Sequence, residues 1–239
     1  MSTNDQEPLL GGLEAGGTKY VCAVARNPGR PLMEHRFPTL TPEETLAEAA
    51  RFFQEASDRH GPLGALGIGT FGPADIDPRS SGFGSILTTP KEGWAGFRVV
   101  RALQDTLGRS LPIAFDTDVN AAAIGEVTAG AGRGLRHLAY ITVGTGIGAG
   151  YLHDGRPIHG RMHTEAGHLV MPDLELDREV SVNVCPFHSS CLEGRASGPA
   201  MEKRWGRPAS ELDPDHPAWD LEARYLACGA VDLTAAWSP

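Results

Sequence analysis

A chain of 239 residues with 41% apolar content can bury one large core or two modest ones, and its 30 glycines and 18 prolines mark many tight turns rather than a low-complexity segment. The net charge of −9 disfavours nucleic acid and anionic membranes as partners, and no apolar run approaches the ~20 residues that span a bilayer. The N-terminal MSTNDQEP lacks the basic start and apolar core of a secretion signal, and 4 cysteines make no disulfide scaffold, so a soluble cytoplasmic chain is expected, with Cys22 and Cys228 as small core residues.

Residues 9–25 form two short apolar runs joined by Glu14-Ala15-Gly16-Gly17-Thr18-Lys19, the pattern of a hairpin. Its glycines bring bare backbone N–H groups close to an anion, or they make an ordinary hairpin turn; both readings stand. It is not a Walker loop, because the lysine follows the threonine and a strand comes next. A third strand fits 32–38. Thr41-Pro42-Glu43-Glu44 then starts a helix, with N-cap threonine, proline at the first position and glutamate at N3, ending at His60-Gly61-Pro62.

Residues 65–70 read as a buried strand. Residues 85–94 read as a strand running into a Pro/Gly loop whose Lys91 and Trp94 line a pocket or, on the plainer reading, belong to an exposed linker. A helix over 97–107 and a strand over 111–115 lead to Asp116-Thr117-Asp118-Val119-Asn120 and the helix former AAAIGE. Acids at the end of a strand, just before a helix, are where open α/β folds keep working groups. Asp118 could instead cap a helix starting at Val119, but capping leaves Asp116 and Asn120 unexplained.

Residues 137–152 repeat the strand, glycine turn, strand pattern around Gly144-Thr145-Gly146, with no helix following as a dinucleotide fingerprint would require. Two such hairpins can grip a polyphosphate between them. Within 163–194, His168 and the C-x2-H-x2-C set of Cys185, His188 and Cys191 offer four ligands suited to one tetrahedral zinc ion. Glu165 and Glu193 are spare acids that a metal-braced loop would present to a ligand. Helices are expected over 193–204 and 217–237, the second with a long apolar stripe.

These pieces in order, EAGGTK (14–19), FGPADIDP (71–78), TTPKEGW (88–94), DTDVNAAAIGE (116–126), TVGTGIGAG (142–150), TEAGH (164–168), CPFHSSCLEGRASGPA (185–200) and HPAWDLEARYLA (216–227), resemble the ROK family of sugar kinases, and most closely its bacterial fructokinase branch. The resemblance covers nearly the whole chain. It implies an α/β, two-lobed, actin-like ATPase fold of ribonuclease H topology with an interlobe cleft, residues 1–117 forming the N-terminal lobe and 118–239 a partial C-terminal lobe. It also implies ATP-dependent phosphorylation of a hexose, fructose first and mannose or glucose as alternatives, by a homodimer; the acidic charge adds the expectation of no nucleic-acid or membrane partner.

Residue by residue, the resemblance makes Asp118 the base, Gly16, Gly17, Thr18 and Lys19 the first phosphate hairpin, and Gly144, Thr145 and Gly146 the second. Glu14 is implied to place Mg²⁺ through water, although many relatives carry aspartate there. Gly72, Asn120, Glu165 and Glu193 are implied around the sugar. His168 matches both a zinc ligand and a sugar neighbour, and the resemblance puts it on the metal with Cys185, His188 and Cys191 as a closed structural site. A Cys185–Cys191 disulfide is the alternative; it leaves both histidines unexplained.

Two departures from the family stand out. One is His163-Thr164 with the segment 169–184, expected as a surface excursion. The other is the family's further strand and adenosine-binding glycine turn beyond a helix like 217–237, which nothing here matches. The expectation is a truncated chain with an incomplete second lobe and a partly uncovered stripe on that helix. A non-catalytic sugar-binding relic is therefore the competing reading, with a sugar-responsive repressor ranked below it.

Overall fold

The computed structural model describes residues 7–177 and 181–239. Strands β1 (Leu9–Ala15), β2 (Lys19–Ala25) and β3 (Met33–Pro38) form an antiparallel meander. Helix α1 (Pro42–His60) then returns the chain so that β4 (Leu63–Thr70) lies parallel to β1. After two-residue strands β5 (Ala74–Asp75) and β6 (Ser85–Ile86), helix α2 (Val99–Leu107) makes a second crossover to β7 (Ile113–Thr117), parallel to β4. The sheet order is therefore β3-β2-β1-β4-β7.

Local sequence explains the start of α1: Thr41 accepts the N–H of Glu44 at 3.3 Å, and the Glu44 carboxylate reaches back to the Thr41 N–H at 3.4 Å. Leu46, Phe53, Leu103 and Trp94 fill the layer between the sheet and the two helices. Trp94 corrects the expectation for its loop. It neither lines a pocket nor sits in a linker, because its indole is fully buried and donates to the Leu40 carbonyl at 3.0 Å. The strand expected to open 85–94 is the short Ser85–Ile86, and the Pro/Gly loop after it folds back to seat that ring.

Helix α3 (Asp118–Ala129) follows β7 directly and packs against both β4 and the second sheet, β8 (Leu138–Val143), β9 (Ile147–His153) and β10 (Arg156–Pro157), ordered β10-β9-β8. The helix expected over 193–204 is two, α4 (Leu192–Ala196) and α5 (Gly198–Trp205), because Ser197 is extended ahead of Gly198-Pro199. Pro199 has no N–H to carry a helix on from α4, and the Gly198 N–H is engaged with the Gly144 carbonyl at 2.7 Å instead of the preceding turn.

Helix α6 (Ala218–Trp237) lays Leu221 and Tyr225 on Ile147, Leu192 and Ala196, and Leu233 on Ala149. Those residues are covered, while Trp219 and Val231 of the same helix are 36% and 66% exposed, so its apolar surface is partly uncovered. Among the described residues no helix is long and apolar enough to cross a membrane.

The described residues of 169–184 are only in part a surface excursion: Val170 and Leu176 are exposed, whereas Met171, Asp177 and Val182 are buried. Asp177 is 3% exposed and accepts from Arg195, Arg204 and the Tyr225 hydroxyl at 3.2, 2.9 and 2.7 Å. Two guanidiniums that leave water need a carboxylate, and the inserted segment supplies it. Its residues 178–180 lie outside those described.

Glu222, on α6, is 6% exposed with no hydrogen-bond partner among the described residues, and burial pushes its carboxyl up to about 7 against the opposing charge of Arg204. The folded chain thus holds this proton more tightly than the unfolded chain, and stability falls as pH rises from the ordinary glutamate range toward 7. Glu222→Gln is expected to leave the melting temperature at pH 5 nearly unchanged and to raise it by about 5 °C at pH 8, equivalent to about 2 kcal/mol. Thermal melts of both proteins at the two pH values read this directly, and equal shifts at both would refute it.

Candidate active site

The start of α3 decides what Asp118 does. The helix is capped by Thr117, whose hydroxyl accepts the Asn120 N–H at 3.3 Å, so Asp118 stands at the first helical position and is not the cap. Its Oδ1 takes the Val119 N–H at 2.8 Å, and among the described residues no side chain hydrogen-bonds it. Burial is the main force raising its carboxyl above the usual range; the neighbouring Glu14 charge adds to this, while the Val119 N–H and His163 oppose it. Glu14 is an exposed residue near the end of β1, so the first hairpin brings an acid within electrostatic reach of Asp118.

Asp116 and Asn120 have a different account. Asp116 accepts from Asn120 Nδ2 at 2.8 Å and pairs with His159 Nε2 at 2.8 Å, and Asn120 is only 2% exposed. The two residues that capping left unexplained hold one another and His159.

Both glycine turns are formed. In the first, the Gly16 N–H donates to the Lys19 carbonyl at 3.0 Å, and Gly17, Thr18 and Lys19 are exposed. In the second, the Gly144 N–H donates to the Gly146 carbonyl at 2.9 Å, and Gly144 and Thr145 are exposed. Glu193 reaches this second turn from α4: its Oε2 accepts the Ile147 N–H at 3.0 Å, and a Cβ on Gly146 would lie 2.7 Å from that oxygen. The spare acid of the sequence is therefore also a brace for the hairpin.

Glu165 and Gly72 come together across the two halves of the chain. A Cβ on Gly72 would sit 3.7 Å from Glu165 Oε1, and the buried ring of His163 lies between these segments. Sequence patterns assign His163 no role; its contacts run to residues 72–74, far away in the chain, and no local pattern announces that.

His168, Cys185, His188 and Cys191 form one cluster with ligand atoms within 4.8 Å of one another. Cys185 Sγ lies 3.4 Å from His188 Nδ1 and 3.8 Å from His168 Nδ1, and Cys191 Sγ lies 3.6 Å from His168 Nδ1. A tetrahedral ion with ordinary Zn–S and Zn–N bonds sets N and S about 3.6 Å apart, so the donor set fits. Both cysteines are free, without a disulfide, and burial pushes the Cys191 thiol up to about 11. A second grouping, His137, His153 and Asp154, is largely exposed, and Arg136 holds Asp154 at 2.7 Å as an ion pair.

The model for the ROK family matches residues 10–239. The chain is 41% identical over 239 residues to a fructokinase of Zymomonas mobilis, covering 99% of this chain and 78% of that protein. It is 40% identical over 232 residues to a fructokinase of Streptococcus mutans, covering 97% and 77%. It superposes with a TM-score of 0.74 on the ROK family glucokinase of Streptomyces griseus in complex with glucose and AMPPNP, at 28% identity, covering 97% of this chain and 80% of that one.

Proposed function

The chain belongs to the ROK family, which includes sugar kinases of actin-like ATPase fold, and from that premise we propose that it transfers the γ-phosphoryl group of ATP to a hexose, D-fructose first, giving fructose 6-phosphate. The observation that carries this reading is at the start of α3: Thr117 caps the helix, which leaves the half-buried Asp118 carboxylate free to work opposite Glu14.

Asp118 is the base. A sugar hydroxyl is a weak nucleophile, and a carboxylate within hydrogen-bond reach takes its proton as the phosphoryl group arrives. The raised affinity of Asp118 for a proton suits that task. Gly16, Gly17, Thr18 and Lys19 from one hairpin and Gly144, Thr145 and Gly146 from the other hold the phosphates: the Gly16 and Gly144 N–H groups close the turns, and the exposed backbone of Gly17, Thr18 and Thr145 faces the charge that spreads over the transferred group. Glu14 would hold Mg²⁺ through water, and that ion supplies charge neutralisation at the phosphates.

Glu165, Glu193 and Gly72 line the sugar side. Asn120 serves it through Asp116, which it holds in place. His168, Cys185, His188 and Cys191 hold a structural zinc: four protein ligands leave no open position for a reacting group. Their free thiols suit the reducing cytoplasm expected from composition. We read residues 1–117 and 118–239 as the two lobes, and the family resemblance supports a homodimer.

The test is ATP- and Mg²⁺-dependent phosphate transfer to a panel of fructose, mannose and glucose. Fructose is expected to turn over with the highest kcat/KM and to be esterified at its 6-hydroxyl. Folded protein that phosphorylates none of the three would overturn the reading.

A further inference from the structure

His163 is an imidazole with 3% of its side chain exposed, placed where the two halves of the chain meet. Its Nε2 lies 3.1 Å from the backbone N–H of Ala74, 89 positions earlier in sequence. A backbone amide can only donate, so Nε2 accepts, and the proton of the neutral ring sits on Nδ1. That nitrogen faces Glu165 Oε1 at 3.3 Å and the Thr164 carbonyl at 3.4 Å. The Glu165 side chain is 50% exposed, so one carboxylate oxygen is engaged by the ring while the group as a whole stays accessible. Space for this arrangement comes from Gly72, where a Cβ would lie 3.2 Å from His163 Cε1.

We propose that His163 is a positioning residue: it fixes the Glu165 carboxylate for a sugar hydroxyl and ties that carboxylate to the Gly72–Ala74 turn, so that sugar recognition depends on how the two halves of the chain are set. The proposal rests on the sugar-kinase reading for the identity of the ligand. A carboxylate held through one oxygen loses less freedom when its other oxygen meets a hydroxyl, and that saving appears in sugar affinity. ATP binds at the glycine hairpins and draws nothing from this link. A histidine serving only the core would move stability without separating the two substrates.

The experiment compares wild type with His163→Phe, which fills the same volume without either nitrogen, and His163→Gln, whose amide can both accept and donate. Calorimetry with fructose and, separately, with AMPPNP reads each affinity without turnover, and steady-state kinetics run in parallel. The Phe variant is expected to weaken fructose binding about tenfold, with AMPPNP binding within about twofold of wild type. The Gln variant is expected to recover most of the fructose affinity.

Equal fructose affinity in all three proteins, or equal losses for both ligands, would overturn the proposal. Wild type that binds fructose but transfers no phosphate would overturn the kinase reading instead, and the binding series still decides the role of His163. If the Phe variant does not fold, ¹⁵N spectra of labelled wild type decide it. A proton on Nδ1 whose resonance shifts when fructose is added supports the assignment, and a proton on Nε2 refutes it.

Discussion

Asp118→Asn is expected to lower kcat about 10³-fold while fructose affinity stays within about threefold of wild type. The substitution keeps shape and polarity at the first position of α3, and the helix does not rely on Asp118 for its cap, because Thr117 supplies it. The loss therefore belongs to the proton that leaves the sugar hydroxyl. Wild type is also expected to lose kcat on the acid side, at a pH above the ordinary aspartate range, since burial and Glu14 hold the Asp118 proton more tightly. The variant should lack that limb. A near-normal rate would reassign Asp118 to the helix end, where a negative charge is stabilised by the dipole alone. Stopped assays across pH, with calorimetry for the sugar, separate these outcomes.

Cys185→Ser is expected to abolish stoichiometric zinc and to lower the melting temperature by about 10 °C. The effect is large because Cys185 and Cys191 are both buried and the cluster closes a segment that otherwise has little regular structure. Cys191 is also the N-cap of α4, where its sulfur takes the Gly194 N–H at 3.3 Å. The same short helix carries Glu193 onto the Ile147 N–H. Loss of the metal should thus loosen the second glycine hairpin as well as the fold, and kcat should fall along with stability. Elemental analysis of the purified proteins checks the first claim and thermal melts the second. Wild type without zinc would show that these four ligands serve another purpose.

Much of the first half of the fold is legible in the amino-acid sequence. The hairpin 9–25, the boxed start of α1 and the strand leading to Asp118 rest on rules a few residues long: glycine at a turn, threonine and glutamate three apart, apolar runs ended by polar residues. The cluster of His168, Cys185, His188 and Cys191 is legible because three of its members fall within one loop, at the close spacing typical of a ligand set. The two helices within 193–204 read as one because the composition favours a helix throughout, whereas the break at Ser197 follows from Pro199 and from a hydrogen bond to Gly144, more than fifty residues earlier.

By itself, the sequence determined most of the elements, the two glycine turns, the family pattern and the four residues that cluster as candidate metal ligands, because each is written in residues close together in the chain. Tertiary structure alone decided which polar groups meet. It took Trp94 out of its loop and into the core, made Asp177 the counter-charge of two buried arginines, and freed Asp118 from capping. It also set His163 between Ala74 and Glu165, and Glu193 beneath the second hairpin. The physical reason is common to all of them. Burial penalises a polar group that lacks a partner, and the partner available to it is fixed by how distant segments pack rather than by what stands beside it in the chain.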